Sequence, residues 1–116
     1  MEEILSDIDN VPGVTGCFVC DNQGQVLSST LGERYDYTTL SIVGGIVMQT
    51  LTGIAVVTRR RKIGDFQLVF NQGNLLVRSL GEGCLFILCK RTINSALLDI
   101  TANVAMKRLA AAIQAR

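Results

Sequence analysis

The sequence contains no histidine, no tryptophan and a single proline, and its aromatic residues are four phenylalanines and two tyrosines. Without histidine there is no imidazole general base, no Ser-His-Asp or Cys-His nucleophile and no histidine-containing zinc site. The G-x-x-x-x-G-K-[ST] run that cradles phosphates in P-loop proteins is also missing. The low aromatic content leaves few side chains that could stack on nucleic-acid bases. These absences predict a protein that is not an enzyme and carries no cofactor.

Charge is nearly balanced, with 11 Lys and Arg against 10 Asp and Glu over 116 residues. A nucleic-acid binder normally shows a basic excess, so we expect no nucleic-acid partner. The first ten residues are acidic and amphipathic, unlike a secretory signal peptide. The length suits one hydrophobic core. We therefore predict a single cytoplasmic α/β domain that spans residues 1–116.

Four cysteines raise the question of a metal or redox site, because Cys17 and Cys20 have the C-x-x-C spacing. They lie in a segment that is typical of a strand, where an odd separation places two side chains on opposite faces. The same parity separates Cys84 from Cys89. The sequence therefore predicts four buried free thiols and no metal site.

Hydrophobic periodicity and turn residues predict eight elements in the order αββαβββα. The predicted helices are 2–10, 37–57 and 94–115, and the predicted strands are 14–20, 25–29, 65–71, 74–80 and 84–90. Segment 84–90 is apolar on both faces and should be the central strand, whereas 25–29 should be an edge. We expect an α+β fold of three layers with a five-stranded antiparallel sheet. In the last helix, the predicted buried residues are Leu97, Ile100, Val104, Ala105 and Leu109, and the predicted wet residues are Asp99, Asn103, Lys107 and Gln114.

The middle helix carries no charge from 37 to 58 and is followed by Arg59, Arg60, Arg61 and Lys62. Its length permits a transmembrane span, but it has a polar flank, and insertion would split the sheet. Its apolar arc is about 240° wide, although one sheet-facing stripe needs little more than about 100°. A second copy of this helix could cover the surplus, with Gly44 and Gly45 permitting close approach; alternatively, the first or third helix covers it within one chain. The basic run either complements the helix dipole or contacts an acidic partner or anionic lipid.

The third strand supplies a second reason to expect a homodimer. If it lies at a sheet edge, its unpaired backbone groups are protected by no proline and only one charge, Asp65. Pairing with the same strand of a second copy would hide that edge.

The sequence resembles the Roadblock/LC7 family over essentially its whole length. The resemblance rests on Ile8-x-x-Val-Pro-Gly-Val14, Gly16-Cys-Phe-Val-Cys-Asp-Asn-Gln-Gly24, the long uncharged helix, and Gly83-Cys-Leu-Phe-Ile-Leu88. It implies a profilin-like or longin-like fold whose sheet continues across a homodimer as ten strands. It also implies a scaffold or regulator of a Ras-like small GTPase, or a light chain of cytoplasmic dynein. Ser95 departs from the pattern, because many relatives have glycine after the position of Asn94.

The resemblance also implies which residues form the contact surfaces. The implied dimer interface consists of Ser41, Gly44, Met48, Thr52, Asp65, Gln67 and Val69. The implied partner-binding residues are Gly45, Gln49, Val56, Arg59, Arg60 and Arg61. The leading hypothesis is a non-enzymatic homodimer that modulates the nucleotide cycle or localisation of a Ras-like small GTPase and meets membranes only indirectly, if at all. The alternatives are a structural adaptor light chain of a motor or membrane-tethered complex, and a small-molecule sensor domain.

Overall fold

The computed structural model describes residues 1–31, 37–58, 66–71 and 73–115, and it contains all eight predicted elements in the predicted order. The helices are α1 (Glu2–Asp9), α2 (Tyr37–Thr58) and α3 (Ser95–Gln114). The strands are β1 (Val14–Asp21), β2 (Val26–Ser29), β3 (Phe66–Phe70), β4 (Gly73–Ser79) and β5 (Gly83–Cys89). Every predicted boundary is within one residue of the observed one.

The five strands form one antiparallel sheet in the order β2-β1-β5-β4-β3. The central place of β5 and the edge position of β2 are therefore confirmed, and β3 lies at the other edge. Phe18 of β1 lies directly opposite Phe86 of β5, and their rings stack with centroids 4.6 Å apart. Because both faces of β5 are covered by helices, its continuous apolar run is buried rather than alternating.

Two hydrophobic clusters lie on opposite faces of the sheet. The first is formed by α1, α3 and one set of strand side chains, including Cys17 and Cys89. The second lies under α2 and includes Cys20 and Cys84. None of the four cysteines forms a disulfide, and all four are buried. The expected separation of Cys17 from Cys20, and of Cys84 from Cys89, is confirmed.

The last helix begins as predicted but buries a different face. The side chain of Asn94 caps it, with Oδ1 accepting a hydrogen bond from the Leu97 backbone N–H at 3.1 Å. The buried face comprises Leu98, Ala102, Ala105, Leu109 and Ile113. The prediction is correct for Ala105 and Leu109 but wrong for Leu97, Ile100 and Val104, which are exposed. The helix has two apolar stripes, and the one with small alanines lies closer to the sheet because it permits tighter packing.

Among the described residues, no helix combines the length and the apolar character that crossing a membrane requires.

Candidate interaction surface on α2 and β3

α2 packs against the turn between β1 and β2 through a contact between two glycines. Gly24, in the turn from β1 to β2, has φ +84°, a left-handed backbone conformation that glycine adopts without steric cost. A Cβ placed on Gly24 would lie 2.6 Å from the Cα of Gly45 in α2. The turn is held by Asp21, whose Oδ1 accepts from the backbone N–H groups of Gln23 and Gln25 at 2.9 and 3.0 Å. The absence of a side chain at Gly24 therefore lets the turn backbone touch the helix backbone.

The inner side of α2 is fixed by Ser41 and Gly44. Ser41 Oγ accepts a hydrogen bond from the Val26 backbone N–H of β2 at 3.4 Å. Gly44 is buried, and a Cβ there would lie 2.6 Å from Cys20 Sγ. Both residues, which the resemblance places in the dimer interface, contact β1 or β2 of their own chain, and their place in a dimer stays a prediction. Gly44 and Gly45 allow a close approach within one chain, between α2 and the β1–β2 turn, whereas the expected approach of a second copy stays a prediction.

The flank of α2 that remains open lies opposite Ser41. At 100° per residue, Thr50 lies about 180° and Val43 about 200° around the helix from Ser41. Because Ser41 faces the β2 edge, this open flank faces the β3 edge of the sheet. Ile42 and Ile46, beside it, are each 60% exposed. α1 and α3 pack on the other face of the sheet, so the alternative that they cover α2 within one chain is wrong.

The exposed edge strand β3 adds to this surface. Gln67, Leu68 and Val69 are exposed, Val69 to 62%. Leu68 pairs with Leu75 and faces the α2 side, whereas Gln67 pairs with Leu76 on the α3 side. We call the exposed residues Ile42, Val43, Ile46 and Leu68 the α2/β3 surface. Periodicity gives the apolar arc of α2, but only the Ser41 hydrogen bond shows which part of that arc faces β3.

The other residues implied by the resemblance divide into three groups. Gln49 is exposed, and a Cβ added to Gly45 would meet no atom within 4 Å, so both are accessible on α2. Met48, Thr52 and Val56 belong to α2, but their side chains are outside the description. Arg59, Arg60, Arg61 and Asp65 lie outside the described residues, as does Lys62.

A polar network beneath α1 was not visible from the sequence. Asp9 Oδ1 lies 3.4 Å from Cys17 Sγ and 3.2 Å from Thr30 Oγ1, and Thr30 Oγ1 accepts from the Cys17 backbone N–H at 2.9 Å. Burial, followed by the charge of Asp9, raises the pKa of Cys17 far above its ordinary value. A thiol that stays protonated is a poor nucleophile, so this network ties α1 to β1 rather than activating sulfur.

Two further features bear on metal and ligand binding. Within residues 1–31, 37–58, 66–71 and 73–115, no three Cys, Asp or Glu side chains come together as metal ligands. A cavity of about 140 Å³ lies between α3 and the sheet and is lined in part by Asn74, Arg78 and Asp99. Typical small-molecule pockets measure roughly 300–1,000 Å³. This cavity is smaller than that, but a shallower, polar hollow of about 410 Å³ is lined by Asp21, Asn22, Gln23, Glu82 and Ile113, so cavity size does not decide the sensor hypothesis.

Comparison with solved structures identifies the fold. A Roadblock/LC7 domain from Streptomyces avermitilis superposes with a TM-score of 0.81 at 16% identity, covering 98% of both chains. Myxococcus xanthus MglB gives 0.78 at 16% identity over 97% of this chain and 84% of its own. An MglB structure with a tetrameric arrangement gives 0.72 at 16% identity over 94% and 84%. No family model and no curated protein matches the sequence. The chain has the Roadblock/LC7 fold.

The adjacent glycines Gly44 and Gly45 provide a matched test of how α2 packs on the sheet. Gly44→Ala should lower the free energy of unfolding by roughly 1–3 kcal/mol, because the new Cβ overlaps Cys20 Sγ. Gly45→Ala places its methyl in open space and should raise it by up to about 1 kcal/mol through helix propensity. Urea unfolding of both variants measures the difference. Cys20→Ala should restore part of the free energy of unfolding that Gly44→Ala loses. Effects of the same sign at both glycines would contradict the packing of Gly44 against Cys20.

Proposed function

We propose that residues 1–116 act as one non-enzymatic Roadblock/LC7 domain that forms a homodimer and binds a Ras-like small GTPase. The dimer joins β3 to β3 in a continuous ten-stranded sheet, with the two α2 helices side by side. The paired helices present Gly45, Gln49, Val56 and the arginines at 59–61 to the GTPase. Binding positions the catalytic loops of the GTPase and so modulates its nucleotide cycle, or it determines where the GTPase is localised.

The observation that carries the proposal is the α2/β3 surface on a chain with the Roadblock/LC7 fold. Its most exposed side chains, Ile42 and Ile46, lie on the outer face of α2, beside the flank that faces the free sheet edge. Apolar surface of this kind marks a protein contact. A β3–β3 pair would place a second α2 against the same flank. The tetrameric arrangement of an MglB structure supports self-association in proteins of this fold.

The dimer is tested by solution mass. Light scattering should give about 25 kDa, twice the chain mass of 12.6 kDa. Ile46→Lys should reduce the measured mass to that of one chain, because it places a charge without a partner in the dimer interface. Ile100→Lys, on the equally exposed outer side of α3, is the control and should leave the mass at that of the dimer. A folded wild-type monomer at all concentrations would remove the basis for the paired helices.

The GTPase is tested by capture and turnover. Beads carrying the wild-type dimer should retain a Ras-like GTPase from cells of the source organism, which is then purified and assayed for GTP hydrolysis and nucleotide exchange. Gln49→Lys should weaken capture, whereas Lys90→Ala, an exposed change outside α2 at the end of β5, should not. Failure to bind any purified Ras-like GTPase of that organism, with the dimer intact, would overturn the proposal. A stable complex that leaves hydrolysis and exchange unchanged would instead favour a structural adaptor.

A further inference from the structure

The cavity of about 140 Å³ lies between β4 and the first turns of α3, outside the α2/β3 surface. Its apolar side is formed by Leu76 of β4 and Leu98 of α3, which are both buried. Asn74 and Arg78 lie two residues to either side of Leu76, so all three side chains face α3 from the same side of the strand. Gln67 of the edge strand β3 also lines the cavity and is exposed, so solvent reaches the cavity beside the sheet edge.

One polar atom in this cavity has a hydrogen-bonding capacity that the described part of the chain does not meet. Asn74 Oδ1 is buried, and no donor within residues 1–31, 37–58, 66–71 and 73–115 bonds to it. The Cys89 thiol, which also lines the cavity, donates to the Asn74 backbone oxygen instead, at 3.7 Å. A buried acceptor without a donor costs free energy. A molecule that fits this cavity therefore directs an N–H or O–H group at Asn74.

The charged residues that line the cavity are one of each sign, Arg78 and Asp99. Arg78 Nη2 lies 3.4 Å from Asp99 Oδ1, whereas the pair between α3 and α1, Arg108 with Asp7, measures 2.9 Å. The Asp99 side chain is 59% exposed, and an ion pair so exposed contributes little to stability. The longer pair can therefore open at small cost. When open, it offers a cation to a carboxylate and an anion to an ammonium group.

We propose that this cavity binds a zwitterionic α-amino acid with a small side chain, such as glycine or alanine. The carboxylate of the ligand pairs with Arg78. Its ammonium group donates to Asp99 and to Asn74 Oδ1, and its side chain lies against Leu76 and Leu98. A ligand without net charge fits because the two charged residues balance. A cavity of about 150 Å³ takes benzene, so this one holds about six non-hydrogen atoms, the number in alanine.

Titration of the isotope-labelled protein, followed by two-dimensional NMR, tests the binding. Glycine and L-alanine should shift the amide resonances of the cavity residues with a Kd of roughly 0.1–10 mM, the range expected for so few atoms. L-leucine should bind at least about tenfold more weakly, because its side chain exceeds the cavity. Acetate and methylammonium each carry one of the two charged groups and should also bind more weakly. Absence of shifts with glycine and L-alanine up to about 50 mM would overturn the proposal and assign the cavity to water alone. Equal binding of acetate would overturn recognition of a zwitterion.

The role of the ion pair is tested by a reversal of preference. Asp99→Asn should weaken binding of L-alanine at least about tenfold, because the ammonium group loses its anion. The same variant should strengthen binding of acetate, because Arg78 no longer faces a carboxylate of its own chain. Asp7→Asn makes the same exchange in the Arg108 pair and should change neither affinity. Weaker binding of both ligands to Asp99→Asn would overturn the assigned contacts.

The unpaired oxygen is tested by Asn74→Leu, which has nearly the same shape. It should weaken binding of L-alanine at least about tenfold, yet leave or raise the urea midpoint, because it removes a buried acceptor that has no donor. Asn103→Leu, an exposed position of α3, is the control and should leave binding unchanged. A lower midpoint with binding intact would overturn the role of Asn74. Ile46→Lys should still bind L-alanine, since the cavity lies within one chain, so this result is independent of the proposed dimer.

Discussion

Replacing Gly24 by alanine is expected to lower the free energy of unfolding by roughly 2–5 kcal/mol. Left-handed backbone costs a non-glycine residue roughly 1–2 kcal/mol. Overlap in a packed site adds roughly 1–3 kcal/mol. The overlap at Gly24 cannot be relieved by rotating a side chain, since the new Cβ would meet the Gly45 backbone, with its Cα 2.6 Å and its nitrogen 2.7 Å away. Either the turn or α2 must move, so the variant should also weaken the proposed dimer.

Gly81 supplies the matched control for this prediction. It has the same φ of +84° as Gly24, but a Cβ added to it would meet no atom within 4 Å. Gly81→Ala should therefore lose only the backbone term of roughly 1–2 kcal/mol. Urea unfolding of both variants separates the cost of the left-handed backbone from the cost of steric overlap with α2. Equal losses at the two glycines would show that the contact between the turn and α2 contributes nothing.

Raising the pH from 8 to 10 is expected to lower the free energy of unfolding through the buried thiols. Burial raises the pKa of Cys20 to about 12, aided by the nearby Cys84 and Asp21, and burial raises that of Cys17 still further. In the unfolded chain these thiols lose their protons near their ordinary pKa of 9.0. Their contribution to stability is therefore complete below pH 9 and is lost as the pH rises through 9 toward 12.

The size of this effect follows from the unfolded chain. A pH of 10 is about one unit above the pKa of the Cys17 thiol in the unfolded chain. Loss of that proton favours the unfolded state by about 1.4 kcal/mol. Cys20 acts in the same direction, so the two thiols together should cost roughly 1.5–3 kcal/mol. Urea unfolding at pH 8, 9 and 10 under reducing conditions gives the slope. Cys20→Ala should reduce the slope relative to wild type, since the two chains differ in no other ionisable side chain. An unchanged slope would mean that Cys20 is not protected from ionisation.

The element order could be predicted because each element carries its own signal. Strand β5 is apolar at successive positions, Gly24 marks a turn, and Asn94 precedes a helix. The parity of a strand also places Cys17 and Cys20 on opposite faces without knowledge of their partners. These are local properties, and tertiary packing agrees with them.

The contacts between elements could not be predicted in the same way. On α3, two apolar stripes each satisfy the helical period, and the choice between them depends on how closely the sheet approaches. On α2, Gly44 suggests close approach of another backbone, but nothing in a single helix shows that this backbone is the turn at Gly24. The direct opposition of Cys20 and Cys84 in β1 and β5 likewise requires the register of two distant strands.

The central position of β5 has a consequence for synthesis of the chain. β1 ends at Asp21, and the strand that completes its pairing begins at Gly83. At roughly 5–20 residues per second, a ribosome needs roughly 3–12 s to make the 61 residues between them. During that interval β1 has only β2 beside it, and Phe18 lacks the ring on which it stacks. The nascent chain therefore carries an open, apolar strand edge for seconds, and β5 must emerge before the two halves of the sheet can join.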